Sequence, residues 1–98
     1  MATVDSASTV VEVTAEGQYQ LSAGQAAIAE ISGGAHGAVI TLLGCSGASP
    51  SVSSVEGKII LKGGKTFTAT EGSQLTLRAF DAGGDGLIWI EQSRYIAA

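Results

Sequence analysis

The sequence predicts an all-β fold, a small jelly-roll-like sandwich of about seven or eight short strands. Three observations carry that expectation. Apolar and polar residues alternate at period two in short runs from one end of the chain to the other, as they do in half-buried strands. Gly, Ser and Asp clusters interrupt these runs at intervals of about 8–12 residues, the punctuation of a sandwich or barrel. Helix signals are nearly absent, because β-branched residues crowd the apolar runs and 14 glycines are scattered over 98 residues, and both disfavour helix interiors.

Residues 1–8 precede the first convincing strand and are expected to form an N-terminal arm, with residues 9–98 as a single β-domain. Strand pattern begins over 9–14, where Val11 and Val13 alternate with Glu12 and Thr14. Glu16-Gly17 then turns the chain, and Tyr19 and Leu21 resume the alternation. Residues 26–31 fit either period, since Ala favours helix while Ile28 and Ile31 suit both; a strand is expected there. Gly33-Gly34-Ala35-His36-Gly37 reads as a flexible turn. It leads into residues 38–43, a nearly continuous apolar run that predicts a central strand buried on both faces.

Residues 44–54 are rich in Ser and Gly, with Pro50, and read as a loop or edge segment anchored by Val52 and Val55. A strand over 58–62 follows. Gly63-Gly64 predicts a hairpin to residues 65–70, where Thr66, Thr68 and Thr70 share one face and Phe67 and Ala69 the other. Glu71-Gly72-Ser73 is the next turn. Residues 74–80 then place Leu75, Leu77 and Ala79 inward and Gln74, Thr76 and Arg78 outward. The turn-rich stretch 81–86 precedes a closing strand over 87–92. The expected core includes Ile40, Leu42, Phe67, Leu75 and Leu77. Residues 14–21 faintly echo 68–75; strand–turn–strand chemistry explains that match, and a solenoid needs several copies.

Composition narrows the function classes. A chain of 98 residues supports one core, and 45% hydrophobic with only 14% charged residues is too apolar for a disordered segment. A net charge of −4, a pI near 4.6 and five Lys and Arg give no footprint for a run of phosphates, so no nucleic-acid partner is expected. No apolar stretch approaches the roughly 20 residues that span a bilayer, and the N-terminus lacks the basic region and apolar run of a signal peptide. No membrane partner is expected either. The single cysteine, Cys45, has no internal disulfide partner, so the burial that a small fold lacks is expected to come from self-association.

Motifs for chemistry fall short on inspection. Gly64-Lys65-Thr66 ends like a phosphate-binding loop, but Ile59 stands where that loop needs its first glycine, and a strand pattern follows instead of a helix. Asp81 and Asp85 flank Gly83-Gly84 and invite a calcium reading, yet the further oxygen ligands of an EF-hand loop are missing; a solvated turn is preferred. His36 and Cys45 are the only strong candidates for a nucleophilic pair. His36 lies in a Gly-rich turn and Cys45 follows a buried strand, where a lone Cys behaves as a small apolar residue. One His and one Cys are too few for zinc within one chain. Glu12, Glu16, Glu30, Glu56, Glu71 and Glu91 are read as solvated strand faces and turns, not as a glycosidase pair. The five aromatics, Tyr19, Phe67, Phe80, Trp89 and Tyr95, suit core or interface better than base stacking. No catalytic, cofactor or metal site is assigned, and an enzyme is not expected.

The segments Gly57-Lys58-Ile59-Ile60-Leu61, Phe67-Thr68-Ala69-Thr70-Glu71-Gly72-Ser73-Gln74-Leu75-Thr76-Leu77 and Trp89-Ile90-Glu91-Gln92-Ser93-Arg94, in that order, resemble a β-module of bacteriophage virion proteins. That module occurs in small head decoration, cement and head-fibre proteins and at the ends of tail spikes and fibres. Gly37 ahead of Val39-Ile40-Thr41-Leu42 is similar to its opening. The resemblance covers residues 26–94, with departures at the 47–51 insertion and the longer 81–86 turn. It implies a non-enzymatic piece that trimerises. With Met1 at its start and four residues after Arg94, the chain reads as a complete small protein, which favours capsid decoration. The expected partners are its own copies and the major capsid protein, on the surface of a virion assembled in the host bacterial cytoplasm. The alternative is a receptor-binding tip module whose Gly-rich loops meet a host surface polysaccharide. Trp89 and Tyr95 are expected at the subunit contact, because large aromatics are enriched at interfaces. Thr3, Val4 and Asp5 are expected to grip the shell.

Overall fold

The computed structural model describes residues 2–4, 9–24, 27–47, 50–81 and 87–97. Among the described residues ten strands follow one another: β1 (Ala2–Thr3), β2 (Val10–Val13), β3 (Gly17–Gln20), β4 (Glu30–Gly33), β5 (Val39–Leu43), β6 (Ser51–Val52), β7 (Ile59–Ile60), β8 (Phe67–Thr68), β9 (Gln74–Phe80) and β10 (Ile88–Tyr95). The all-β, sandwich-like architecture that the alternation predicts is present. Six strands form the larger sheet in the order β1-β3-β5-β9-β10-β7, while β2 pairs with β4 and β6 with β8.

The first half of the chain coils between the sheets. Odd-numbered β1, β3 and β5 lie side by side and parallel in the larger sheet, with Ala2 beside Tyr19 and Tyr19 beside Leu42. The intervening β2 and β4 are parallel neighbours in the other layer, and a parallel bridge from Ile28 to Val52 continues the stack. Parallel neighbours need a long crossover, usually a helix; here a strand of the opposite layer does that work. The second half extends the larger sheet by antiparallel pairing of β5 with β9 and β9 with β10.

One core lies between the layers. Ile40, Leu42, Phe67, Leu75 and Leu77, all expected inside, have no exposed surface, and Val11, Ile28, Val52 and Ile59 join them. Gly44 is fixed by a close approach, since a Cβ there would stand 1.9 Å from the Thr70 carbonyl oxygen.

Several expectations are corrected. Of the expected N-terminal arm, residues 2–4 belong to the sheet, since Ala2–Thr3 pairs with β3 and Val4 is buried and donates its N–H to the Gln20 carbonyl at 2.8 Å, while residues 5–8 lie outside the described residues. Strand β5 is central but buried on one face only, with Val39 exposed. An apolar outward residue made that run read as two-sided. Gly63-Gly64 does not close a hairpin, because β7 pairs with β10 and β8 with β6. The glycines instead end a 3₁₀ turn over Lys62–Gly64 that carries the chain from one sheet to another.

Candidate functional site

The closing Trp89–Arg94 stretch on β10 performs a structural task. Glu91 lies opposite Leu77 and Ser93 opposite Thr76, so Gln92 is an extra residue in a β-bulge. Residues three apart on a regular strand face opposite sides; the bulge puts Glu91 and Arg94 on the same, inward side. There they form a bidentate pair, with Arg94 Nη2 donating to Glu91 Oε1 at 2.7 Å and Nε to Oε2 at 2.9 Å. The Glu91 side chain is only 3% exposed, which corrects the expectation of a solvated glutamate. Hydrogen bonding from Arg94 holds its carboxyl below the usual range against the opposing effect of burial, and the pair raises Arg94 in turn. Glu91 Oε1 also accepts the Lys62 N–H at 2.9 Å. Arg94 Nη2 donates to the Lys65 carbonyl at 2.8 Å, and the guanidinium stands 5.8 Å from the Phe67 ring centroid. The pair clamps residues 62–67 to β10.

The outward face of the six-stranded sheet is organised in rows by the register. Tyr95, Gln74, Leu43, Gln20 and Thr3 form one row. Ser93, Thr76, Thr41 and Gln18 form the next, with a 3.2 Å hydrogen bond between the hydroxyls of Thr41 and Thr76. Beyond it come Ile60, Ile90, Arg78 and Val39, then Ile88 beside Phe80. Arg78 carries a charge in these rows, and Glu16, whose carboxylate accepts the Val39 N–H at 2.9 Å, carries the opposite one at the edge of the same row. A band of hydroxyls and amides thus separates Tyr95 at one end from an apolar group of Ile60, Ile90, Val39, Ile88 and Phe80 at the other. One end holds Tyr95, 65% exposed, and Ile96, 49% exposed, beside the Thr3 row. The other holds Phe80, 46% exposed, at the rim of a cleft of about 310 Å³ lined by His36, Arg78, Ala79, Phe80, Ile90 and Gln92. Gln74 and Phe80 are six residues apart on β9, so the ends lie roughly 20 Å apart.

The residues expected to act divide clearly. Tyr95 is on the surface, but Trp89 is 1% exposed and packs inside its own subunit, so it is not available to a subunit contact. Its indole edge lies against Gly34, where a Cβ would stand 2.9 Å from Trp89 Cζ2. Thr3 is exposed and Val4 buried; Asp5 and Asp85 lie outside the described residues. His36 and Cys45 are at opposite ends of β5, roughly 17 Å of strand apart, and do not form a nucleophilic pair. Cys45 lines a separate depression with Thr3, Gln20 and Glu71, and burial pushes its thiol up, away from the thiolate. Among the described residues no three His, Cys, Asp or Glu side chains gather as metal ligands.

Sequence reasoning missed the cleft. Alternation already placed Arg78 outward, but the joining of Phe80, His36 and Gln92 to it depends on the β9–β10 register, on the bulge at Gln92, and on a turn folded back over β9.

Fold and face together define a compact all-β domain whose larger sheet, among the described residues, turns an outward face of mainly hydroxyl, amide and apolar side chains to the surface. No family model, no curated protein and no solved structure matches the chain.

Proposed function

We propose that the chain is a bacteriophage structural protein, a capsid decoration, cement or head-fibre subunit that trimerises and attaches to the major capsid protein at the virion surface. The reading draws its trimer and its location from the motif resemblance over residues 26–94. The observation that carries its mechanism is the exposed Tyr95–Ile96 end of the larger sheet, which shares a row with Thr3. Depletion of charge with retention of aromatic area is the compositional mark of an interface core. At about 25 cal/mol per Å², a few hundred Å² of such contact stabilises an assembly by roughly 5–10 kcal/mol before association costs. With Trp89 buried in its own subunit, Ile96 joins Tyr95 at this contact. Native mass measurement of the protein, alone and mixed with capsids, tests the reading: a trimer that binds shells at discrete sites supports it, and a species that neither self-associates nor binds shells refutes it.

A second reading, a tail-fibre or tailspike tip that recognises a host surface glycan, is favoured by a different observation. The cleft at the far end of the sheet combines an exposed aromatic ring with several side-chain donors, a combination suited to sugars.

A further inference from the structure

The geometry points to the His36–Arg78–Phe80–Gln92 cleft as a binding site for a carboxylate-bearing sugar ring, a hexuronate residue, an inference that rests on the glycan-recognition reading. The donor set argues for an anion. Arg78 has no ion pair among the described residues; the nearest carboxylate along its row, Glu16, is engaged two strands away by the Val39 N–H at 2.9 Å. Its planar fork matches a carboxylate bidentately. His36 adds a donor of defined orientation: its Nδ1 accepts the Asp81 backbone N–H at 3.0 Å, so the neutral ring carries its proton on Nε2. Gln92, placed on this face by the bulge, supplies an amide with both donor and acceptor character.

The apolar lining argues for a ring. Phe80 is nearly half exposed, and His36 props it from one side with ring centroids 5.6 Å apart and planes at 53°. The free ring face offers an apolar platform to the C–H face of a pyranose, and Ile90 extends it beside Arg78. A bare anion leaves that platform wet, and a neutral sugar leaves Arg78 unused. A phosphate dianion calls for more than one permanent cation, and among the described residues Arg78 is the only Lys or Arg that lines the cleft. The volume, about 310 Å³, falls at the lower end of ordinary ligand pockets, in keeping with a single ring.

The site is also held in place. Arg78 and Phe80 are on β9 and Gln92 on β10, and the turn bearing His36 is tied down by Gly37 N–H to the Ala79 carbonyl and Ala79 N–H to the Ala38 carbonyl, each 2.8 Å. A Cβ on Gly37 would stand 4.0 Å from Arg78 Nη2, which places the guanidinium beside that turn. Groups fixed by strands and backbone bonds lose little freedom on binding. The acid nearest in sequence, Asp81, is exposed and does not line the cleft.

The test is a two-dimensional amide NMR titration with a galacturonate trimer and, in parallel, the uncharged galactose trimer, on wild type, Arg78→Gln and Phe80→Ala. Both substituted side chains are exposed, and unchanged spectra away from the cleft report an intact fold. The expected result is shifts at residues 36–37, 79–80 and 90–92 with the acidic trimer, affinity at least about tenfold weaker in Arg78→Gln, and loss of binding in Phe80→Ala. Equal binding of the neutral trimer overturns the carboxylate inference and leaves the glycan reading standing. Acidic binding that ignores Arg78→Gln, or that shifts other residues instead, also overturns the inference. No cleft shifts with either trimer up to about 20 mM overturn both.

Discussion

Replacing Glu91 with Ala removes two hydrogen bonds from Arg94 and one from the Lys62 N–H, and leaves a guanidinium whose side chain is only 20% exposed. Breaking a fully buried ion pair by deleting one partner costs about 3–5 kcal/mol, mostly as the penalty of the stranded charge. Arg94 keeps its donation to the Lys65 carbonyl and some access to water, so the expected loss is about 2–3 kcal/mol. Urea unfolding followed by fluorescence of the single tryptophan, buried Trp89, measures it. The pH dependence supplies an independent sign. Arg94 holds the Glu91 carboxyl below its ordinary value of 4.5, so the folded state binds that proton less readily than the unfolded chain. The stability this contributes is complete above about pH 4.5 and is lost as the pH falls through the depressed value. The advantage of wild type over Glu91→Ala therefore shrinks on acidification. A loss under about 0.5 kcal/mol at neutral pH, or an advantage that grows as pH falls, refutes the clamp.

Gly44→Ala puts a Cβ 1.9 Å from the Thr70 carbonyl oxygen; both groups are backbone, so a loss of at least about 2 kcal/mol is expected in the same unfolding assay. Leu77→Ala empties a fully buried site at a cost of about 2–5 kcal/mol, against about 0.5–1 kcal/mol for Thr76→Ala, which gives up one partly buried hydroxyl bond. Similar values for the two would show that the faces of β9 are wrongly assigned. Val4→Ala is expected to cost about 1–2 kcal/mol while exposed Thr3→Ala stays within about 0.5 kcal/mol; no loss at Val4 would restore a free N-terminal arm.

Much of the fold is legible in the sequence because period-two alternation is a local signal. Residues 74–80 run through seven positions of strict in-and-out order, and Leu75, Leu77 and Ala79 are buried as that order requires. What escapes is decided by which strand lies beside which. Val39 looks like core in the run 38–43, and only the uncovered side of the sheet exposes it. Gly63-Gly64 carries ideal hairpin chemistry, yet β7 finds β10 across the chain, since Ile59 gains burial beside Trp89. The bulge at Gln92 has no glycine to announce it. It changes the phase of β10, converts Glu91 and Arg94 into a pair, and turns Gln92 toward the cleft. The parallel coil of β1 to β5 is equally silent, since its crossovers are themselves strands. Of the two aromatics expected at a subunit contact, Tyr95 is exposed and Trp89 buried, a difference set by the layer above Trp89 and not by its own strand pattern.

The central claim is self-assembly through the Tyr95–Ile96 end of the larger sheet. Sedimentation velocity of the protein at micromolar concentration, with Tyr95→Ser/Ile96→Ser alongside, tests it most directly. The account predicts a trimer for the wild type and a folded monomer for the double variant, because the substituted side chains are 65% and 49% exposed within a subunit and contribute little to its own core. A wild-type protein that sediments as a monomer, or a double variant that remains trimeric, contradicts it.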